Sequence, residues 1–160
     1  GPDMTAPIVV RPVVAADLPA WRRLWDGYNA FYGREGATAL PEVVTRTTWS
    51  RFLSEDEPVH ALVAVRGDQL VGLCHYLFHR STSRIADVCY LQDLFVDDRA
   101  RGHGAGARLI EAVCERARAL GSDRVYWQTR QTNVTARLLY DRLAQHRGFI
   151  VYDCPLQPPG

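Results

Sequence analysis

The spacing of hydrophobic positions predicts two helices and three strands in the first half of the chain. Apolar residues three and four positions apart follow Asp17, which can cap a helix that ends at Gly33. Pro41 stands at a favourable first position for a second, shorter helix that runs to Leu53. A β-branched run broken by Pro12 predicts a strand at 8–14 that lies near an edge of the sheet. Runs rich in valine and leucine predict strands at 59–66 and 69–78, joined as a hairpin.

In the second half the pattern changes abruptly after a strand at 86–96 that is apolar on both faces towards its end. We expect this strand to be central in a sheet, because both of its faces must be covered. A glycine-rich, arginine-bearing turn at 97–106 follows, and then helical spacing that stops at Gly121. A strand at 124–129, a helix at 133–145 and a last strand at 149–152 complete the order. The order as a whole predicts a mixed α/β sheet with helices on its faces.

Composition narrows the class of protein. A chain of 160 residues with 47% hydrophobic and 23% charged residues is typical of one globular domain, which we expect at 4–160, with residues 1–3 a remnant of tag removal. The 19 basic residues are all arginine and face 18 acidic ones, so no basic surface for nucleic acid or membrane is expected. Because no apolar run is long enough to span a bilayer, we expect a cytoplasmic protein.

The four cysteines stand far apart with no CxxC pair, so neither a zinc site nor a redox motif is indicated. Reduced, buried thiols are expected instead. His75 and His79 would share one face of a strand near Cys74, but no second pair of ligands completes a metal site. We therefore expect no bound metal.

The turn between the strand at 86–96 and the next helix has the chemistry of an anion site. Its glycines allow positive φ and close approach, while the first N–H groups of the helix point towards whatever lies before it. A pyrophosphate would meet unpaired amides, the helix dipole and a guanidinium. The residues expected to contact the phosphates are Arg101, Gly102, His103, Gly104, Ala105 and Gly106.

Two familiar phosphate loops do not fit this turn. A Walker loop needs a lysine, and the chain has none. A dinucleotide fingerprint needs the spacing GxGxxG, whereas the glycines here stand at 102, 104 and 106.

Arg101-x-x-Gly104-x-Gly106, preceded by the strand at 90–96 and followed by an amphipathic helix, resembles the acyl-CoA motif of the GNAT superfamily of N-acetyltransferases. The segment 133–140, Asn-Val-Thr-Ala-Arg-Leu-Leu-Tyr, resembles the Asn-x-x-Ala-x-x-Leu-Tyr helix of that family, and Gly148-Phe149 its strand entry. The Leu-x-Asp-Leu-Phe-Val strand and the Trp/Tyr-rich first helix are most similar to small-amine and polyamine acetyltransferases. The resemblance implies a GNAT fold, with a mixed, mostly antiparallel sheet of about six to seven strands and about four helices.

The resemblance also implies acetyl-CoA as co-substrate and assigns roles to residues. Main-chain groups of Leu94, Phe95 and Val96 would pair with the pantetheine arm of the cofactor. Asn133 would contact the same arm, although it suits a helix cap equally well. Tyr140 would reach the thioester sulfur, where a phenol can return a proton to the thiolate or hydrogen-bond to it.

The implied reaction is direct attack of a primary amine of a small molecule, such as a polyamine, an amino acid or an amine antibiotic, on the thioester. Polyamine acetyltransferases similar to this chain carry Glu-Asp in the central strand, where this chain has Gln92-Asp93. Asp93 is therefore the candidate catalytic carboxylate, with a water relay backed by Asp93, His75 or His79 as the alternative. A non-catalytic acyl-CoA-binding module, a protein amine acceptor and a larger acyl group are the other possibilities.

Two further expectations concern binding surfaces. An aromatic set in the two first helices could hold a cation on its ring faces or simply pack the core; it comprises Trp25, Tyr28, Phe31, Tyr32 and Trp49. The sequence leaves the oligomeric state open; homodimers are common in the family that the chain resembles, and the last strand at 149–152 could pair across subunits.

Overall fold

The computed structural model describes residues 5–159, so the tag remnant expected at 1–3 lies outside the described residues. The chain divides into two compact units, the first ending at Gln128 and the second beginning at Thr129.

The first unit contains a five-stranded sheet whose strands follow the order of the sequence. The strands are β1 (Ile8–Pro12), β2 (Val59–Arg66), β3 (Gln69–His79), β4 (Val88–Val96) and β5 (Val125–Tyr126). Neighbours from β1 to β4 are antiparallel, whereas β5 is parallel to β4. The mixed, mostly antiparallel sheet is confirmed, but the expectation of six to seven strands is wrong for the described part of the chain.

The strand expected at 149–152 does not form. These residues carry no ladder in the structure, and their side chains are largely exposed, from 70% for Val151 to 87% for Tyr152. A run of β-branched and aromatic residues favours a strand only where another backbone can pair with it, and the sequence pattern does not reveal that partner. The fifth strand is also shorter than expected, with two residues instead of the six at 124–129.

Four helices are present in the described residues, as expected: α1 (Leu18–Phe31), α2 (Glu42–Phe52) and α3 (Ala105–Ala119) in the first unit, and α4 (Val134–Leu143) in the second. Asp17 is the N-cap residue of α1, as predicted, but its side chain makes no capping hydrogen bond to that helix. A short 3-10 turn precedes the helix, and the Asp17 carboxylate instead accepts hydrogen bonds from the Arg11 guanidinium and from the N–H of Val14.

The core on the α1 side of the sheet is largely aromatic. Trp21 is completely buried, and its ring centroid lies 4.7 Å from that of Trp49 and 5.8 Å from that of Trp25. Residues of α1, α2 and β3 thus form one cluster, which fixes α1 against the sheet. Helix α3 packs on the opposite face, where the Leu109 side chain approaches Gly72 of β3.

Candidate active site

A β-bulge in β4 sets the geometry of the site. Leu91 lies opposite Tyr76, while Asp93 lies opposite His75, so Gln92 is the extra residue of the bulge. The extra residue shifts the alternation of side chains between the two faces of the sheet. As a result Asp93 lies on the α1 face beside His75, and Gln92 is exposed.

Two donors hold the Asp93 carboxylate. The Tyr28 hydroxyl donates to Oδ1 over 2.7 Å, and Nδ1 of His75 lies 2.8 Å from Oδ2. On the other side of the imidazole, Nε1 of Trp21 lies 3.1 Å from Nε2 of His75. Because an indole N–H can only donate, Nε2 is the acceptor, and the ring proton is on Nδ1, from where it is donated to Asp93.

Of the four side chains in this hydrogen-bond network, Asp93 is the one that can still accept a hydrogen bond from a group outside it. Burial and the adjacent Asp93 carboxylate raise the pKa of Tyr28 above its ordinary value, so the phenol stays protonated and serves as a donor. Both ring nitrogens of His75 are engaged within the network. The Asp93 side chain retains 12% exposure, and a carboxylate offers about four acceptor positions, so capacity for a further donor remains.

His79, the other histidine considered for a proton relay, lies outside this network. Its Nε2 is 2.7 Å from the Tyr126 hydroxyl, and its Nδ1 is 2.8 Å from the carbonyl oxygen of Arg80. The structure therefore brings His75, but not His79, to the Asp93 carboxylate.

The end of β4 has an unpaired edge. The parallel pairing with β5 involves only Cys89 and Tyr90, so in the described part of the chain β5 does not pair with Leu94, Phe95 and Val96. Their antiparallel pairing with β3 is intact. Apart from the Val96 carbonyl oxygen, which accepts a hydrogen bond from Arg101, main-chain groups on the β5 side of this segment are thus available to a ligand that extends like a strand.

The glycine turn has the backbone conformation that its sequence predicts. Gly102 and Gly104 have φ of 82° and 85°, and a Cβ at either position would meet no atom within 4 Å. Buried Ala105 begins α3 directly after Gly104, and Gly106 lies in the first helical turn. This open space at the first N–H groups of a 15-residue helix fits the pyrophosphate of a CoA-type ligand.

Two side chains of the turn are exposed. Arg101 pairs with Asp98 over 2.8 Å, and its Nε donates to the Val96 carbonyl oxygen over 3.3 Å. His103 is also exposed. An exposed ion pair contributes little to the free energy of folding, so exchange of Asp98 for a phosphate as the partner of Arg101 would cost little stability.

In the second unit, Asn133 is the N-cap of α4. Its side-chain oxygen accepts a hydrogen bond from the N–H of Ala136 over 3.4 Å, which confirms the helix-cap interpretation of this residue. Tyr140 lies in the second turn of the same helix and is half-buried.

The aromatic set divides into core and surface members. Trp25, Tyr28 and Trp49 are buried in the core, Tyr32 is partly buried against it, and Phe31 is exposed. The rings of Tyr28 and Tyr32 carry a cation from the chain itself. The Cζ atom of Arg34 lies 5.8 Å from the Tyr28 ring centroid and 5.4 Å from that of Tyr32. No sequence pattern marks Arg34, since a lone arginine after a helix-ending glycine resembles any exposed loop residue.

Other features of the described residues concern metals, membranes and thiols. No cluster of three or more His, Cys, Asp or Glu side chains suited to a metal ion occurs within residues 5–159. No helix in this range has the length and apolar character to cross a bilayer. All four cysteines are free; Cys74 and Cys89 are buried as expected, but Cys154 is exposed.

Comparison with known proteins identifies the family. The sequence model of the acetyltransferase (GNAT) family matches residues 21–144. The D-amino-acid N-acetyltransferase HPA3 of Saccharomyces cerevisiae is 36% identical over 148 residues, which are 91% of this chain and 89% of the yeast protein. The N-acetyltransferase YhfO of Bacillus subtilis is 28% identical over 145 residues, 89% of this chain and 94% of that protein.

A solved structure shares the fold at lower identity. AAC(6')-Iy, in complex with a CoA bisubstrate analogue, superimposes with a TM-score of 0.79 at 15% identity, covering 95% of this chain and 100% of that one. The family match over most of the chain, together with the yeast relative, decides the assignment. The chain belongs to the GNAT family and is an N-acetyltransferase.

Proposed function

We propose that this N-acetyltransferase transfers the acetyl group of acetyl-CoA to a primary amine of a small molecule, with Asp93 as the group that receives the amine. The observation that carries the proposal is the Asp93 carboxylate itself. It is held by Tyr28 and His75 at a bulge, one residue before the unpaired edge of β4. An acceptor amine at Asp93 is therefore adjacent to the main-chain groups expected to hold the thioester.

Main-chain groups are proposed to make most of the contacts with acetyl-CoA. The open turn at Gly102 and Gly104 suits the pyrophosphate, with Arg101 as a cationic neighbour. The free edge of Leu94 to Val96 suits the amides of the pantetheine arm. Asn133 and Tyr140 of α4 are proposed to contact the arm and the sulfur, as the family resemblance implies.

The proposed reaction is a direct transfer. The bound ammonium group first loses one proton to water. The neutral nitrogen then attacks the thioester carbonyl carbon, while a main-chain N–H of β4 stabilises the negative charge that develops on the carbonyl oxygen. As the N–C bond forms, the nitrogen loses a proton to Asp93, and the C–S bond breaks. The CoA thiolate takes a proton from Tyr140, so that the products are an acetamide and the free thiol.

Asp93 is preferred to its neighbours as the proton acceptor for a geometric reason. Gln92 has no basic group and is exposed at the bulge. His75 accepts from Trp21 and donates to Asp93, so it positions the carboxylate and has no free nitrogen for the amine. The bulge thus compensates for the missing glutamate by turning the next residue, Asp93, towards α1.

The acceptor class is a small amine. The yeast relative is named for D-amino acids, and the strand around Asp93 resembles that of small-amine and polyamine enzymes. Both likenesses support a compact acceptor with an ammonium group that a single carboxylate can hold.

A thiol-release assay with acetyl-CoA and a panel of amines tests this proposal. The panel contains polyamines, D- and L-amino acids, an aminoglycoside and a peptide with a free N-terminus, and mass spectrometry identifies the acetylated product. Turnover with at least one small amine is expected, and propionyl-CoA and butyryl-CoA in parallel define the acyl group. Acetyl-CoA binding without release of CoA for any small amine would contradict the proposal.

A further inference from the structure

Arg34 is fixed at the end of α1 by its backbone. Gly33 adopts φ of 78° after the helix, so the N–H of Gly33 bonds to the Ala30 carbonyl and that of Arg34 to the Asn29 carbonyl. This pair of bonds is the Schellman arrangement, in which a left-handed glycine turns the chain back over its helix. Arg34 therefore has a defined position next to the last turn of α1.

The side chain of Arg34 is held along one edge. Its Nε donates to Oδ1 of Asn29 over 2.7 Å. Asn29 is only 5% exposed and is itself fixed by a bond from its Nδ2 to the Trp25 carbonyl oxygen. Among the described residues no carboxylate forms an ion pair with Arg34, which leaves both Nη groups for a bidentate partner.

Tyr28 joins Arg34 to the proposed amine site. Its hydroxyl donates to Asp93, and its ring lies under the Arg34 guanidinium, together with the ring of Tyr32. A negative and a positive group are thus separated by one aromatic side chain. Both are partly accessible, since Arg34 is half-buried and the Asp93 side chain is 12% exposed.

We propose that Arg34 binds the carboxylate of an α-amino-acid acceptor whose amino group lies at Asp93. This inference rests on the proposed function and specifies its acceptor class. An α-amino acid carries its opposite charges one carbon apart, and it would satisfy Asp93 and the Arg34 guanidinium at the same time. A guanidinium pre-positioned by Asn29 loses little freedom when it binds a carboxylate.

The positive charge of Arg34 disfavours the binding of a polyamine at this site. The rings of Tyr28 and Tyr32 beside Asp93 are the aromatic groups against which a second ammonium group would be expected to rest. Arg34 already occupies them, and a further cation there would be repelled. Arg34 therefore selects acceptors with an anionic group beside the amine.

Paired substrates test this inference. The wild-type protein is assayed with D- and L-phenylalanine against phenethylamine, and with D- and L-leucine against isoamylamine, each pair differing only in the carboxylate. The wild type is expected to prefer the amino acid of one or both enantiomers. Arg34→Gln should raise KM for that amino acid roughly ten- to one-hundred-fold, leaving KM for the matching amine and for acetyl-CoA nearly unchanged.

Two further variants complete the design. Arg34→Lys keeps the charge but loses the bidentate fork, so its KM for the amino acid should lie between those of the wild type and Arg34→Gln. Arg51→Gln removes an exposed arginine of α2 and should behave as the wild type. Circular dichroism shows whether each variant is folded, and if Arg34→Gln does not fold, Arg34→Lys provides the comparison.

The outcomes separate this inference from the proposed function. Efficient turnover of the amines with no preference for the amino acids would overturn the role of Arg34 and leave the proposed function intact. An equal loss for amine and amino acid in the Arg34 variants would also overturn it. No turnover of any substrate by the wild type would contradict the proposed function first, and this inference with it.

Discussion

Nδ1 of His75 donates a hydrogen bond to Oδ2 of Asp93 over 2.8 Å, between residues that lie directly opposite each other on β3 and β4. The direction of the bond is fixed by Trp21, whose indole N–H occupies the other nitrogen of the imidazole. His75 therefore acts as a positioning residue, and the carboxylate is the group left to meet the acceptor amine.

Substitutions at His75 should separate donation to Asp93 from packing. His75→Leu removes the donor to Oδ2 of Asp93 and the acceptor of the Trp21 N–H, while the bond from Tyr28 to Asp93 remains. It should lower kcat/KM about ten-fold or more and stability by about 1–3 kcal/mol. His75→Asn can retain a donor near the Nδ1 position and should keep more of the activity. Steady-state kinetics with urea unfolding measures both effects, and equal activity in the two variants would argue against the positioning role.

The glycine turn is tested by Gly104→Val. A valine at φ of 85° strains the backbone by about 1–2 kcal/mol and places a branched side chain in the open space proposed for the pyrophosphate. CoA binding, measured by isothermal titration calorimetry, should be lost. Gly121→Val imposes similar strain after the opposite end of the 15-residue α3, where φ is 86°, and should leave CoA affinity unchanged. Retained affinity in Gly104→Val would refute the assignment of this turn.

Tyr140→Phe tests whether the Tyr140 hydroxyl protonates the CoA thiolate as it leaves. Removal of the hydroxyl should lower kcat about ten-fold to one-hundred-fold while changing the affinity for CoA little, because the proton matters only when the C–S bond breaks. Single-turnover kinetics and a CoA titration measure the two quantities separately. A variant with the kcat of the wild type would remove Tyr140 from the mechanism.

The Asp17 carboxylate should make stability depend on pH. The hydrogen bond from Arg11 holds the pKa of Asp17 below its ordinary value near 4, so its stabilisation is present above that value and is lost as pH falls through the folded-state pKa. Asp17→Asn should cost about 1–2 kcal/mol at neutral pH, with the difference from the wild type shrinking below about pH 4. Thermal melts from pH 3 to 8 measure this; a difference independent of pH would contradict it.

Much of the architecture could be predicted from periodicity. The hairpin of β2 and β3, the aromatic helix α1 and the glycine turn before α3 all lie close to their predicted limits, because each depends on local spacing or on residues with a special backbone preference. The segment 149–152 shows the limit of this approach. Its residues favour a strand, but strand formation needs a partner, and no local pattern specifies one.

The site was less predictable than the fold. Asp93 was selected from its place in a family motif, whereas the alternation of side chains along a strand could not say which face it occupies, since the bulge at Gln92 is invisible in the sequence. Its connection to Tyr28 depends on contacts between elements far apart in the chain. Arg34 was missed for the same reason.

The central claim, that Asp93 receives the amine and its proton, is tested most directly by kcat/KM of Asp93→Asn. The substitution keeps the size of the side chain and removes its charge, and the exposed Asp68→Asn on the β2–β3 turn is the matched control. With acetyl-CoA and the best acceptor of the panel, Asp93→Asn should lower kcat/KM at least about one-hundred-fold, with Asp68→Asn unchanged. Activity of Asp93→Asn within about two-fold of the wild type would contradict the account.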